Sequence, residues 1–286
     1  MPWTERRLSE RVGIELTGER IAPGLSQADR EAVRDATARH GVTVIPGQDL
    51  SDEDIYDFVA SFGDKIVEVE TAEGVPPHSR GVMPLGNVDK DGNILPADDW
   101  NVQQNLANEL WHTDMTFVSP RASFSLLYGK TVPPEGGNTE FCDTRLFWET
   151  LPDAERARLS RLTCAHSVLH SRRKYGFTEW PQEVIDRFPP IARPMVNVQQ
   201  SPGRTALPLA AYIQSIDGMT AEQSEALVED LTARATVPAN VYSHRWRAGD
   251  LLLWDNRCMM HRATPFDMTA HARDLRAVRL CDPASV

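Results

Sequence analysis

The segment NELWHTDMTF (residues 108–117) sets His112 and Asp114 two positions apart. On an extended chain, residues i and i+2 point to the same side, so an imidazole and a carboxylate can be aimed at one point. A second segment, GDLLLWDNRCMMHRATPFD (249–267), carries His261 shortly after an apolar run. Two histidines and one carboxylate form the facial set of non-haem Fe(II) oxygenases, which leaves coordination positions open for cosubstrate and oxygen. The same three ligands can hold a catalytic zinc. Residue types alone therefore leave oxidation and hydrolysis both open.

Other residues invite chemistry with less support. His166 and His170, with Arg172, Arg173 and Lys174, could make a basic rim that attracts an anion, although a solvated charge run explains them as simply. His78, His244 and His271 belong to no motif. Cys142 and Cys258 lie near the ligand segments in sequence and read as small buried hydrophobes.

Positioning such a site needs rigid elements on either side. Ser26 can cap a helix running to about Arg39, with Gly41 as its stop. Ser51 with Asp54 opens a second helix, in which Ile55, Phe58, Val59 and Phe62 recur at helical spacing. Between them, GVTVIPGQ (41–48) reads as a short buried strand ended by Pro46-Gly47. Strand patterns follow at 122–129 and 248–255, at 273–280, and as a pair around 193–198 and 206–213. One helix is expected from Leu146 to Leu162. Another is expected from Ala221 to Ala235, opened by a Thr220–Gln223 capping box. From Val67 to Asn105 the chain is rich in Pro, Gly, Asp and Asn, and DKDGN (89–93) signals a turn. A loop of that length suits an active-site loop or lid. Many short strands with inserted helices imply a mostly β fold with flanking helices, a sandwich or jelly roll. The early helices are expected on one outer face.

The chain has 286 residues, enough for one large domain spanning 1–286. Its formal charge of −11 argues against nucleic acid as a partner. No apolar run approaches the roughly 18 residues of a membrane span, and the amino terminus has no signal-like stretch. The four cysteines are dispersed, which suits reduced thiols in a cytoplasmic protein.

NELWHTDMTF, PPEGGNTEFCD (133–143), WDNRCMMHR (254–262) and RDLR (273–276), in that order, resemble the taurine/2,4-dichlorophenoxyacetate dioxygenase family, nearer to its phenoxyacetate branch. The resemblance covers roughly Gly41 to Leu280. It implies a double-stranded β-helix core, cupin-like, and an enzyme that uses Fe(II), 2-oxoglutarate and O2, with ascorbate as a stimulant. Carried over, His112, Asp114 and His261 are the iron ligands. Thr139 matches the threonine that hydrogen-bonds the distal carboxylate of 2-oxoglutarate. Arg273, twelve residues after His261, matches the arginine that pairs with that carboxylate. Arg276, fifteen after His261, matches the offset of a second arginine that binds the substrate's anionic group. The segment HARDLR leaves an exchange of these two roles open, with Arg273 preferred for the cosubstrate; Arg279 is read as a surface charge.

Asn108 matches a substrate-side asparagine, or else an amide that satisfies loop backbone. Trp111 and Trp254 are expected to pack against and orient the ligand segments, and residues 254–257 to be structural. The expected substrate is a small organic anion, a carboxylate such as an aryloxyalkanoate. The alternatives are a natural-product acid such as a terpenoid acid, a sulfonate or an alkyl sulfate. The taurine branch has a histidine after its FG turn, whereas FGDKIVEVETAEG (62–74) has none, which counts against taurine. Residues 171–216 depart from the family pattern. A homodimer or homotetramer is expected from the family. A zinc hydrolase and a non-catalytic cupin-like binding protein are the rival classes; the first has no need of Thr139 and Arg273, and all three ligands are present, which the second does not require.

Overall fold

A computed structural model describes residues 3–68, 81–199 and 203–281. His78 and residues 69–74 of the FG segment lie outside them. The first strands are β1 (Thr4–Arg7), β2 (Ile14–Thr17), β3 (Val42–Ile45), β4 (Lys65–Ile66), β5 (Met83–Gly86), β6 (Ala122–Thr131), β7 (Thr139–Asp143) and β8 (Thr163–His166). Then come β9 (Ile191–Pro194), β10 (Asn197–Val198), β11 (Thr205–Ala206), β12 (Ile213–Ile216), β13 (Val241–His244), β14 (Leu251–Asp255), β15 (Met259–Ala263) and β16 (Asp274–Cys281). The helices are α1 (Gln27–His40), α2 (Asp52–Ala60), α3 (Trp100–Asn105), α4 (Thr144–Thr150), α5 (Asp153–Leu159), α6 (Val168–Arg173), α7 (Gln182–Arg187) and α8 (Ala221–Ala235). The protein is mostly β with flanking helices. Among the described residues, no helix is long and apolar enough to cross a membrane.

The large sheet runs β1-β2-β3-β14-β6-β16-β4, with β5 also on β16, and a three-stranded sheet runs β13-β7-β15. Period-two alternation explains how the central strands serve two cores at once. On β14, Leu251 and Leu253 pack under α1 and α2, with Phe124 and Leu126 of β6 and Val278 and Leu280 of β16. Leu252 and Trp254 point the other way and meet Phe141 and Met259 of the smaller sheet, with Leu127, Leu275 and Ala277. A third core lies beyond the smaller sheet, where Cys142 and Met260 meet Phe147 of α4 and Leu231 of α8.

Local chemistry sets the helix ends. The Ser26 hydroxyl accepts from the Asp29 N–H, and reciprocal capping boxes at Ser51–Asp54 and Thr220–Gln223 open α2 and α8. The expected helix over Leu146–Leu162 is instead two, α4 and α5. Leu151 before Pro152 is extended, because a proline ring excludes the helical conformation from the preceding residue. The expected pair at 193–198 and 206–213 is also corrected: among the described residues only a two-residue β10–β11 ladder forms there, while β9 and β12 both pair with β8. Between them, residues 207–212 run beside the ligand segment, where Ala211 N–H donates to Trp111 O and Leu209 O accepts from Thr113 Oγ1. The stretch 67–105 is not a plain loop either. Its described part contains β5 on β16 and the helix α3, and DKDGN forms the expected turn, with Asp89 N–H donating to Asn93 O.

Gly41 joins α1 to β3 with φ +81°, and a Cβ there would lie 2.4 Å from Met259 Sδ. Gly41→Ala therefore combines a left-handed backbone with a clash against the strand that carries His261. It should lower the unfolding free energy by about 1–3 kcal/mol, measured by urea denaturation; an unchanged midpoint would contradict this packing.

Candidate active site

His112 forms a single antiparallel bridge with His261 on β15: each N–H donates to the other's carbonyl, at 3.0 and 2.8 Å. His261 thus lies within a strand of the smaller sheet, not just after β14. The bridge brings the two rings to 4.2 Å between centroids. Thr113 turns inward and its hydroxyl donates to Leu209 O and Met259 O, which locks the segment between. Met115 follows with φ +53°, so the chain reverses just after Asp114. Asp114 Oδ1 lies 3.7 Å from Nε2 of both histidines, and the three candidate ligand atoms lie within 4.8 Å of one another.

The protonation states suit a divalent cation, which needs bare imidazole nitrogens and an ionised carboxylate. His112 Nδ1–H donates to Leu110 O at 2.7 Å, which leaves Nε2 with its lone pair. Trp254 and Phe141 flank His261, and Tyr212 lies edge-on to His112. Burial in this aromatic shell lowers the His112 pKa, against the pull of Asp114, and drives His261 to about 3 with the help of His112. Burial also raises the pKa of Asp114. Arg279, His261 and His112 outweigh that effect, so the carboxyl is held well below the usual range.

The histidines face a cavity that is open to solvent. Leu85, Val102, Leu106, Leu127, Phe266 and Met268 form its apolar wall. Its polar groups include Asn105, Asn108, Glu109, Thr139, Arg273 and Arg279. Thr139 Oγ1 accepts from Trp246 Nε1 at 3.0 Å, so its own proton is free to be donated. Arg273 is buried, and among the described residues its Nε has no hydrogen-bond partner. Burial alone lowers its pKa to about 10, so the guanidinium stays charged at neutral pH. A buried cation is costly unless something pairs with it. Gly137, with φ +60°, leaves room beside it: a Cβ there would sit 3.4 Å from Arg273 Nε. A metal-binding anion with a second carboxylate fits this donor set.

Of the residues expected from sequence, His112, Asp114, His261, Thr139, Arg273 and Asn108 come together. Arg276 does not. It sits on the outer face of β16, where Nε reaches Asp52 at 3.0 Å and Nη1 pairs with Asp274. Arg279, read as a surface charge, instead lines the cavity with Nε 3.4 Å from Asp114 Oδ2. Counting by twos along β16 from Arg273 arrives at Arg279 and skips Arg276. Three further residues contribute, of which Asn87 and Ser125 had no local signal and Asn256 lay within the 254–262 motif but was expected to be structural. Asn87 holds the Arg273 N–H, Ser125 Oγ donates to Asp114 Oδ2, and Asn256 Oδ1 accepts from the Asp114 N–H. Trp254 is buried and donates to Asn256, while Trp111 lies under Arg262. Residues 254–257 are structural as expected, and Asn256 also orients a candidate ligand. His166 is no rim residue: it is buried, with Nδ1 2.8 Å from Thr116 Oγ1. Lys174 is paired with Glu225 and Glu229.

The profile of the family described as "Taurine catabolism dioxygenase TauD, TfdA family" matches residues 6–279. An alpha-ketoglutarate-dependent 2,4-dichlorophenoxyacetate dioxygenase of Burkholderia sp. (strain RASC) is 34% identical over 259 residues, 90% of this chain and 87% of that protein. An (S)-phenoxypropionate/alpha-ketoglutarate-dioxygenase of Delftia acidovorans is 31% identical over 90% of this chain and 87% of its own length. The crystal structure of AAD-2 in complex with Mn(II) and N-oxalylglycine superposes with a TM-score of 0.89 at 32% identity, covering 99% of this chain and 98% of that one.

His166 offers a test of how dry the interior beside the site is. Burial, with Arg193 and Arg121 nearby, lowers its pKa from 6.5 to about 3. The unfolded chain takes up this proton near pH 6.5 and the folded one does not, so stability is full above that value and falls as the pH drops toward 3. His166→Gln should flatten the pH dependence of unfolding free energy between pH 6 and 4 by about 1.4 kcal/mol per pH unit, one proton's worth. Denaturant titrations across that range measure it, and an unchanged slope would contradict a buried neutral imidazole.

Proposed function

The chain belongs to the TauD/TfdA family and is an Fe(II)- and 2-oxoglutarate-dependent dioxygenase, and from that premise we propose that it oxidises a small carboxylate substrate of the aryloxyalkanoate kind. The observation that carries this reading is one cavity with a His-Asp-His cluster and, apart from it, a buried arginine whose Nε has no hydrogen-bond partner among the described residues. The relatives named above act on phenoxyacetate and phenoxypropionate compounds. In the proposed architecture the two facing sheets are the walls of a double-stranded β-helix, residues 1–286 form a single domain, and 67–105 serves as the active-site loop or lid. Leu85, Val102 and Asn105 from that stretch already line the cavity.

His112 and His261 present neutral nitrogens to the iron, and Asp114 supplies the anionic ligand. Thr139 donates its hydroxyl proton to the distal carboxylate of 2-oxoglutarate, and Arg273 pairs with it through a charge-assisted fork. Asn108, on the cavity wall, presents its amide to the substrate. Iron(II) with 2-oxoglutarate and O2, when bound, supplies an oxidant that places one oxygen atom on a substrate carbon while 2-oxoglutarate becomes succinate and carbon dioxide. The chain's own work is to position and to exclude water, so it needs no general base. Where the oxidised carbon bears an ether oxygen, the hydroxylated product can break at that bond.

With Fe(II), 2-oxoglutarate and air, succinate formation should be stimulated by aryloxyacetates or aryloxypropionates, and His112→Ala should abolish it. Arg273→Leu should weaken 2-oxoglutarate binding by roughly 30-fold or more, the loss expected on removing one partner of a buried charge pair, while the protein stays folded. Succinate release that no carboxylate stimulates would sink the substrate reading. Wild-type 2-oxoglutarate affinity in Arg273→Leu would sink the cosubstrate assignment.

A further inference from the structure

The two oxygens of Asp114 have different surroundings. Oδ1 faces both histidine Nε2 atoms at 3.7 Å. Oδ2 points away, accepting from Ser125 Oγ at 2.7 Å and facing Arg279 Nε at 3.4 Å. Ser125 and Arg279 are direct cross-strand partners on β6 and β16, so one rung of the central sheet delivers both groups to the same oxygen. Asn256 secures the arrangement from the other side: its Nδ2 donates to Ser125 Oγ while its Oδ1 accepts from the Asp114 N–H.

This asymmetry bears on how many positions a bound metal keeps open. Two histidines and one carboxylate oxygen occupy three of six sites. A 2-keto acid that chelates takes two more and O2 needs the last. If Asp114 swung to ligate through both oxygens, one of those positions would be lost. We propose that Arg279 is a positioning residue which, with Ser125, captures Asp114 Oδ2 and confines the carboxylate to one-oxygen ligation, keeping the site open for cosubstrate and oxygen together. This inference rests on the reading of His112, Asp114 and His261 as the iron ligands.

The arrangement has an electrostatic signature. Donors on a ligating carboxylate draw electron density from it, and a guanidinium repels a nearby dication. Arg279 is also the counter-charge of buried Asp114 before a metal arrives. All three effects weaken metal binding, while one-oxygen ligation favours the chelating cosubstrate. Losing Arg279 should therefore move the two affinities in opposite directions, whereas damage to the fold would lower both.

The test titrates Co(II), then 2-oxoglutarate, into anaerobic wild-type, R279Q, R279K and S125A proteins, followed by the visible Co(II) spectrum and by calorimetry. R279Q should bind Co(II) roughly 10-fold more tightly and 2-oxoglutarate on the Co(II) protein roughly 10-fold more weakly, the scale on which groups that orient metal ligands act. S125A alters no charge and should tighten Co(II) and weaken 2-oxoglutarate as R279Q does, each by a smaller factor, with a changed Co(II) spectrum; R279K should return toward wild type. S125A decides the matter alone if R279Q does not fold. Affinities within twofold of wild type in both R279Q and S125A, or a joint loss of metal and 2-oxoglutarate in them, would overturn the role of Arg279. Failure of the wild-type protein to bind Co(II) and 2-oxoglutarate would overturn the ligand assignment, and this inference with it.

Discussion

An ionised carboxylate buried between two sheets is the constraint on which the site depends. Removing a charge from water costs several kcal/mol unless neighbours compensate. Asp114 has a hydroxyl and a guanidinium on one oxygen and two imidazole nitrogens near the other. None of these groups is adjacent in sequence, apart from His112. They come from β6, β15 and β16, so the charge can be buried only once the central strands are in register. Fold and site are thus assembled by the same pairings.

The layering follows from one repeated device. β6, β14 and β16 each give alternate residues to the helix-covered core and to the inner core. An arginine on the inner face of β16 enters the cavity, and one on the outer face meets the acids of α2 and of its own strand. The different placements of Arg276 and Arg279, three residues apart, need nothing beyond this parity. The neutral histidines follow from the same inner core, since Trp254 and Phe141 pack against the face of β15 that carries His261.

Much of this was legible in the sequence, and the remainder was hidden for physical reasons. Caps at Ser26, Ser51 and Thr220 are local chemistry and could be read directly. The ligands His112, Asp114 and His261 were visible through their spacing and through family motifs that agree in order. An offset counted from His261 ignores the face of the strand, which is why it points to Arg276 rather than Arg279. A strand already expected over 273–280 contained the information needed to choose between them. Pro152 likewise marks the break between α4 and α5, inside a pattern that is otherwise helical on both sides. Asn87 and Ser125 could not be found that way, because their partners lie more than ten residues away and no motif marks them. The strand and helix within 67–105 were obscured by a composition typical of loops, since β5 owes its form to pairing with β16.

In the proposed cosubstrate pose one dicarboxylate spans this cavity, held by Arg273 and Thr139 at one end and by the metal at the other. Calorimetric titration of 2-oxoglutarate into Mn(II)-loaded and metal-free protein tests it most directly, alongside Mn(II) titrations with and without 2-oxoglutarate. 2-Oxoglutarate should bind much more tightly when the metal is present, and Mn(II) affinity should rise by the same factor when 2-oxoglutarate is present, as reciprocal linkage requires. Equal 2-oxoglutarate affinity with and without Mn(II) would mean that the cosubstrate does not reach the metal and would rule out this pose.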